Sequence, residues 1–567
     1  MKTARSFRFV AHLRLAVLTA AVASSAVGTS ALLTACADEN DPATWVKRLD
    51  DPAQRPQAIK RLSEFFDDTM SKAKKNREDP AVKSLLDTIA EPLTKQYTAG
   101  NLDDKTRKDL IKVLADTRDP RTAPALAKAF NEFEPKKTDE DVKWASLSVR
   151  GMAESGKPVD PTLVDALWNS FSKFRASQTN LSELVKGLHD ALLAVKSPSY
   201  GPKCVEKLAA PVLDPKNPEQ ARDQIQFWQL TCIQVEKELK FGPAARSLVT
   251  VVLTPSKKDL YATASSALMA MPKEAEPLLI SALNASDPDF VKLEGLWEQK
   301  SWVMVVADAL AWLGRPAGRD AALAALAAAD TDANRVGIAQ ALPRYPADPR
   351  IVPAFLDAYK KIPDGADNAL IGGNPHVPLI LAAPTLYDTS LTDWLLKEIA
   401  TAKGEEKDAT ALNGLGSAIE LMAPNQVAAV SAAVAKEGTP RETEMLKAAT
   451  TITTKCGTDA ACYVKVLDEP IPSAPPTANM AAVKACYMAG IYGNAGTRQE
   501  LVNHLEKVNN PGARLALVQA VLRLAPQGDP AAAAAFEKTV ATDKASGVTG
   551  GDDAVVKVAL MLRSRAL

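Results

Sequence analysis

Histidine is nearly missing from this chain, at four residues in 567, and aromatic side chains make up only 5% of it. So little histidine leaves few groups that titrate or ligate metals near neutral pH. His189, His376 and His504, the three beyond the N-terminal segment, are also widely separated. Net charge is missing too, with 68 basic and 68 acidic side chains. Residues 1–35 hold Lys2, Arg5, Arg8 and Arg14 and no acid, so the remainder has 64 basic against 68 acidic groups and a charge of −4. Nucleic-acid binding needs clustered Lys and Arg on a basic chain, and this balance argues against it. There is no H-E-x-x-H, no G-x-S-x-G and no P-loop, which removes the commonest hydrolase and nucleotide-binding signatures. Runs of alternating β-branched residues are scarce. With few aromatics and abundant Ala, this favours close-packed helices over sheet. At this length one compact core is not expected, and several domains or an open repeat array remain.

What is present begins at the N-terminus. Met1 to Arg14 is basic, an apolar stretch follows from Leu15, and the stretch ends at Leu33-Thr34-Ala35-Cys36. A basic flank, an apolar core and small residues before a cut site make a secretory signal. The tetrapeptide resembles the lipobox of bacterial lipoproteins, an aliphatic residue and two small residues before Cys. That resemblance implies a diacylglycerol on Cys36, removal of residues 1–35, and a short lipidated tether over residues 36–41. An uncleaved signal anchor is the alternative, since about 20 residues can span a bilayer. Ser24, Ser25, Gly28, Thr29 and Ser30 weaken such a span. Ala37, rather than Asp, follows Cys36. By resemblance to the sorting rule of enteric bacteria, this implies the outer membrane, with the chain facing the periplasm. At roughly 0.8 kcal/mol per buried CH₂, two or more acyl chains form a stable anchor.

Beyond the tether the signals are helical. Asp-Pro occurs at 41, 51, 79, 119, 160, 214, 287, 348 and 529. Asp accepts the free N–H groups of a helix's first turn, and Pro fits its first position, so each step reads as a helix start. Leu110, Val113 and Leu114 recur at helical spacing, as do Ala264, Ala267, Leu268 and Met271. Asp119-Pro120-Arg121-Thr122-Ala123-Pro124-Ala125-Leu126 parallels Asp348-Pro349-Arg350-Ile351-Val352-Pro353-Ala354-Phe355. Arg335, Gln340, Ala341 and Arg344 align with Arg514, Gln519, Ala520 and Arg523 at one constant offset. Apolar helix ends fall near Phe66, Leu114, Met152, Val195, Ile233, Met271, Leu313, Tyr345, Ala383, Leu421, Ile452, Met488, Leu524 and Leu560. Internal similarity at such spacing predicts an all-α solenoid of about 14 antiparallel helix pairs.

The units resemble HEAT repeats. Pro124, Pro277 and Pro353 match the Pro of that pattern's first helix. Asp330 or Asp332 followed by Arg335 matches its acidic turn and second-helix Arg. The resemblance implies a HEAT-like or armadillo-type superhelix over 42–469 and again over 479–567. Residues 200–240 and 370–400 lack the Pro or the Arg, and tetratricopeptide-like pairs are an alternative there. Between the two arrays, 470–478 contains Pro470, Pro472, Pro475 and Pro476 and reads as an extended connector. Residues 542–553 read as a loop before a last helix.

Export places the cysteines in an oxidising compartment. Cys456 and Cys462 flank Gly457 and Asp459, a turn that brings two thiols together, and they form the first disulfide candidate. Cys204 with Cys232 is the second, joining the helices of one pair. Cys486 is then left as a buried apolar residue. A zinc site on Cys456, Cys462 and Cys486 is the alternative, without a nearby His or a C-x-x-C spacing to support it. Lys72, Lys74, Lys75 and Arg77 form a basic cluster that reads as a solvated loop or a contact with anionic headgroups. Trp297, Trp302 and Trp312 read as core or as one wall of a groove. Gly414-Leu415-Gly416 reads as helix-packing glycines.

No catalytic residue, metal ligand or cofactor is expected, and neither nucleic acid nor a small-molecule substrate. The expectation is a non-enzymatic binding or scaffolding lipoprotein, held to the membrane through Cys36, whose solenoid surface meets other envelope proteins. The binding role is what the HEAT resemblance implies; the same resemblance also implies an alternative, a lyase of the bilin-lyase type, and a structural envelope-assembly protein is a third reading that differs from the first only in its partner.

Overall fold

The nine Asp-Pro steps show how the sequence begins its helical segments. In every one, the Asp carboxylate accepts the backbone N–H two residues on, from Ala43, Ala53, Ala81, Arg121, Thr162, Lys216, Asp289, Arg350 and Ala531. Where the step opens a helix, such a cap contributes about 1 kcal/mol, and Pro fills a position that needs no donor. α-Helices open directly at Pro42, Pro80, Pro161, Pro288 and Pro530, and a 3-10 turn opens at Pro120. Asp51 and Asp348 instead stand in turns ahead of helices that start at Arg55 and Ile351, and Asp214 starts no helix, the next one opening at Pro218 behind Asn217. The parallel segments at 119 and 348 fold alike. Arg121 Nε donates to Asp119 at 2.8 Å, and Arg350 Nε donates to Asp348 at 2.8 Å.

The computed structural model describes residues 38–175, 182–214, 216–402, 406–471, 476–546 and 552–567. Two compact units divide the chain, residues 1–89 and residues 90–567. The described part of the first holds helices Pro42–Arg48 and Arg55–Lys72 and the start of Pro80–Ala99. Trp45, Ile59, Leu62 and Phe66 are buried there, and Arg48 lies 4.2 Å from the Trp45 ring centre. Lys74 and Lys75 take positive φ in the turn after Lys72. The basic cluster seen in the sequence is therefore a loop.

The second unit is a solenoid-like stack of helix pairs. Among its described residues the one β feature is an isolated bridge between Asn368 and Gly373. One series of helices packs in chain order: Asp104–Thr117, Asp139–Glu154, Ser182–Val195, Leu230–Leu239, Tyr261–Leu268, Trp302–Leu313, Asp332–Ala341, His376–Ala382, Glu406–Leu421, Pro440–Cys456, Met480–Tyr492, Pro511–Arg523 and Asp552–Ala566. The intervening first helices form their own layer. Ala245–Val252 packs on Pro272–Leu283, which packs on Pro316–Ala327, which packs on Ile351–Lys360. Each pair buries its apolar face against its neighbours, so no single pair is a core. Pro277 lies inside Pro272–Leu283, whereas Pro124 lies in the first turn of Ala123–Asn131. Residues 223–229, in a stretch whose sequence departs from the repeat pattern, form a π-helical turn leading into Leu230–Leu239.

The stack also returns on itself. Its last helix, Asp552–Ala566, packs not only on Pro511–Arg523 but on Trp302–Leu313. Ser564 Oγ donates to Leu313 O at 2.8 Å, and Arg315 donates to Ser564 O at 3.0 Å. Helix Trp302–Leu313 is apolar nearly all round because neighbours cover it on several sides. It ends at Gly314, whose φ of 65° is the left-handed cap that favours glycine. A Cβ there would also lie 3.0 Å from Arg565 Nε. From Trp302 to Ala566 the second helices thus form a closed circuit.

No helix among the described residues is long and apolar enough to cross a membrane.

Candidate functional site

The signal segment 1–35, its lipobox residues Leu33, Thr34 and Ala35, and Cys36 lie outside the described residues, as do 472–475 and 547–551. The loop expected over 542–553 is corrected at both ends, since 542–546 continue helix Pro530–Ser546 and 552–553 begin Asp552–Ala566, and the expected extended connector ends in a 3-10 turn, Pro476–Asn479. Cys456 and Cys462 are joined, with their Cα atoms 5.3 Å apart. Helix Pro440–Cys456 stops at Gly457, and Asp459 caps the next helix through the N–H groups of Ala461 and Cys462. Cys204 and Cys232 differ from the sequence expectation: they are free, buried thiols rather than a bridge. Packing of Tyr200–Ala209 on Leu230–Leu239 brings them together, and burial pushes the Cys204 thiol far above its ordinary range. Cys486 is a free thiol, also buried. Trp302 is buried, Trp297 donates to Leu253 O at 2.7 Å, and Trp312 donates to Asp308 at 3.2 Å, so all three are tied into the stack. His189 pairs with Asp190, His504 with Asp468, and buried His376 stacks against Tyr359. Among the described residues no group of three His, Cys, Asp or Glu side chains comes together to hold a metal ion.

Two cavities bring polar groups together. The first, about 460 Å³, lies between residues 97 and 141. On its wall Tyr97 donates to Asp141 Oδ2 at 2.5 Å, and Arg107 pairs with the same carboxylate. Burial pushes the Asp141 carboxyl upward, while Tyr97 and Arg107 oppose that. Arg107 also pairs with Asp104, and Lys137 with Glu134. Positive and negative groups on this wall largely satisfy one another.

The second cavity is built where the circuit closes. It measures about 310 Å³, and Gln340, Arg344, Tyr345, Thr385, Tyr387, Gln519, Arg523 and Arg565 are among its lining residues. Three arginines line it, and no Asp or Glu does. Arg565 comes from the last helix and binds the ends of three others. Its guanidinium donates to Gly314 O at 3.2 Å, to Leu522 O at 2.7 Å, to Ala525 O at 3.1 Å and to Arg344 O at 2.5 Å. A cation at helix C-termini is favoured by their partial negative charge. Burial, with Arg523 nearby, still pulls the Arg565 group down to about 9.

Arg344 and Arg523 are counterparts in the internal repeat, 179 positions apart, as are Gln340 and Gln519. Both Gln–Arg pairs, legible in the sequence as a repeat and nothing more, meet at this cavity. Their surroundings differ. Arg344 pairs with Asp308 at 2.6 Å and stacks 4.4 Å from the Trp312 ring centre. The same offset from Asp308 leads to Tyr487 in helix Met480–Tyr492. Arg523 accordingly has no carboxylate at ion-pair distance among the described residues. Burial lowers its guanidinium, opposed by the more distant Tyr387 and Asp388. The hydroxyls of Tyr345 and Tyr387, both lining residues, are buried without a hydrogen-bond partner.

A third cavity, about 500 Å³, adjoins this one and shares Pro343, Tyr345, Thr385 and Arg523 with it. Leu342, Ile351, Val352, Pro353 and Leu386 make much of its wall apolar, and Asp348 and Asp388 stand at its edge. Asp348 is held by Arg319 and Arg350, and Asp388 accepts from Ser390 N and Oγ. Sequence reasoning found neither Arg565, whose place depends on closure of the circuit, nor the apolar wall, which neighbouring units build together.

No protein-family model and no curated protein matches this chain. Among solved structures it is similar to importin beta crystallised in an ammonium sulfate condition, at 9% identity and a TM-score of 0.33, over 93% of this chain and 74% of that one. It is also similar to an engineered protein, at 14% identity and a TM-score of 0.22, over 93% of this chain and 99% of the other.

Proposed function

We propose that this chain is a lipid-anchored binding protein of the bacterial cell envelope, held at the outer membrane through Cys36 and facing the periplasm. Its HEAT-like stack meets other envelope proteins and performs no chemistry of its own. One observation supports protein binding above the rest. Leu147, Leu381, Leu412 and Leu515 are exposed, and all four stand on helices of the second series. Large aliphatic side chains repeated on one helical layer suit an extended, partly apolar partner surface. The anchor rests on the basic, apolar and Leu33-Thr34-Ala35-Cys36 sequence of the first 36 residues.

Two measurements test this. In detergent phase partitioning, the native protein is expected in the detergent phase and Cys36→Ala in the aqueous phase; a Cys36→Ala protein that stays embedded supports a signal anchor. Crosslinked capture from envelope extracts is expected to recover a stoichiometric protein, and a Leu381→Gln, Leu412→Gln, Leu515→Gln variant to lose it. Repeated recovery of no stoichiometric partner counts against the binding role.

A further inference from the structure

We propose that the cavity at the closure of the circuit is a binding site for a small organic oxyanion, its carboxylate or phosphate head held by Arg523 and its apolar body in the adjoining cavity. This goes beyond the protein-binding role and does not depend on it. The reasoning starts from the internal repeat. Two units that share Gln and Arg at the same offset place both pairs on one cavity, yet only one Arg has its carboxylate. Arg344 is neutralised by Asp308, whereas the repeat puts Tyr487 where Arg523 would find an acid.

Arg565 adds a second charge that backbone carbonyls solvate but do not neutralise. Cations gathered in a partly dry site attract an anion more strongly than they would in water. Guanidinium also presents a planar fork that matches a carboxylate or phosphate. Gln519 adds an amide to the lining, while Thr385 Oγ1 and Gln340 Nε2 already donate to Ala382 O and Pro378 O. Arg523 lines both cavities, so a head bound to it has Leu342, Ile351, Val352, Pro353 and Leu386 beside it. Asp348 and Asp388 repel a second negative charge at that end, which favours a ligand charged at one end only. The cavity near Tyr97 fits this role less well, because Asp141 already occupies Arg107.

The test is isothermal titration of the full chain in nanodiscs of zwitterionic lipid, with phenyl phosphate, phenylacetate, inorganic phosphate and phenol. At least one of the two organic anions is expected to bind, and the tighter of them identifies the head group as phosphate or carboxylate. Arg523→Gln is expected to weaken that binding by about tenfold or more, and Arg523→Lys by less, since Lys keeps the charge and loses the fork. Val352→Trp, which fills the apolar cavity, is expected to weaken the organic anion and spare any inorganic phosphate binding. Thermal melts of each variant show whether it is folded. Absence of binding by both organic anions at millimolar concentration overturns the proposal. So does equal binding by a folded Arg523→Gln, or phenol binding as tightly as the anions.

Discussion

Replacing Glu236 by Gln should make the protein more stable at alkaline pH and leave it nearly unchanged at pH 5. Glu236 is fully buried in helix Leu230–Leu239, and neither carboxyl oxygen has a hydrogen-bond partner. Burial alone raises its pKa from 4.5 to about 8. In the unfolded chain this group ionises near 4.5, while in the folded chain it keeps its proton to about 8. Between those values the unfolded state binds fewer protons, so stability falls as pH rises. Each pH unit in that window removes about 1.4 kcal/mol, and the whole window about 4–5 kcal/mol. Gln is neutral throughout and close to the protonated acid in shape. Its advantage should thus be below about 1 kcal/mol at pH 5 and about 3–5 kcal/mol at pH 8.5. A stacked array has no single unfolding free energy, so a local measurement is needed. Amide hydrogen exchange in Leu230–Leu239, corrected for the intrinsic rate at each pH, reports it. Equal pH dependence in the native and Glu236→Gln proteins would show that the carboxyl is not held neutral, and the reasoning would fail.

Arg565→Met keeps the stem but removes the bonds to Gly314, Arg344, Leu522 and Ala525, and exchange protection of Asp552–Ala566 should fall by about 2–4 kcal/mol; unchanged protection would show that the last helix is held without it. Gly490→Ala places a Cβ 2.4 Å from the Tyr387 ring and should cost about 1–3 kcal/mol, seen as lower amide-exchange protection in Met480–Tyr492; a neutral result would mean Tyr387 moves freely. Cys204 and Cys232 should resist alkylation in the folded protein and react only in denaturant, by mass spectrometry. Rapid labelling without denaturant would contradict their burial.

How much could be read in advance varied with the distance between interacting residues. The Asp-Pro caps were legible because each joins a carboxylate to an N–H two positions on, a geometry the local backbone supplies. The Cys456 and Cys462 turn was legible for the same reason. Cys204 and Cys232 were correctly brought into one helix pair, yet sequence could not say whether their sulfurs bond or merely touch. The Gln–Arg repeat was visible, but its meeting point was not. Similarity between two segments says that they fold alike, not that they face each other.

By itself the sequence determined an all-α chain of stacked pairs, where many helices begin, and which arginines correspond. Only the tertiary structure decided that Asp552–Ala566 packs back on Trp302–Leu313, and hence that Arg344, Arg523 and Arg565 line one cavity. Closure depends on small rotations accumulated over many repeats, and no local pattern encodes their sum. Arg565 reaches Gly314 across 251 positions and Arg344 across 221. The charge balance of that cavity follows from closure: one arginine meets an acid on the preceding unit, and its counterpart does not.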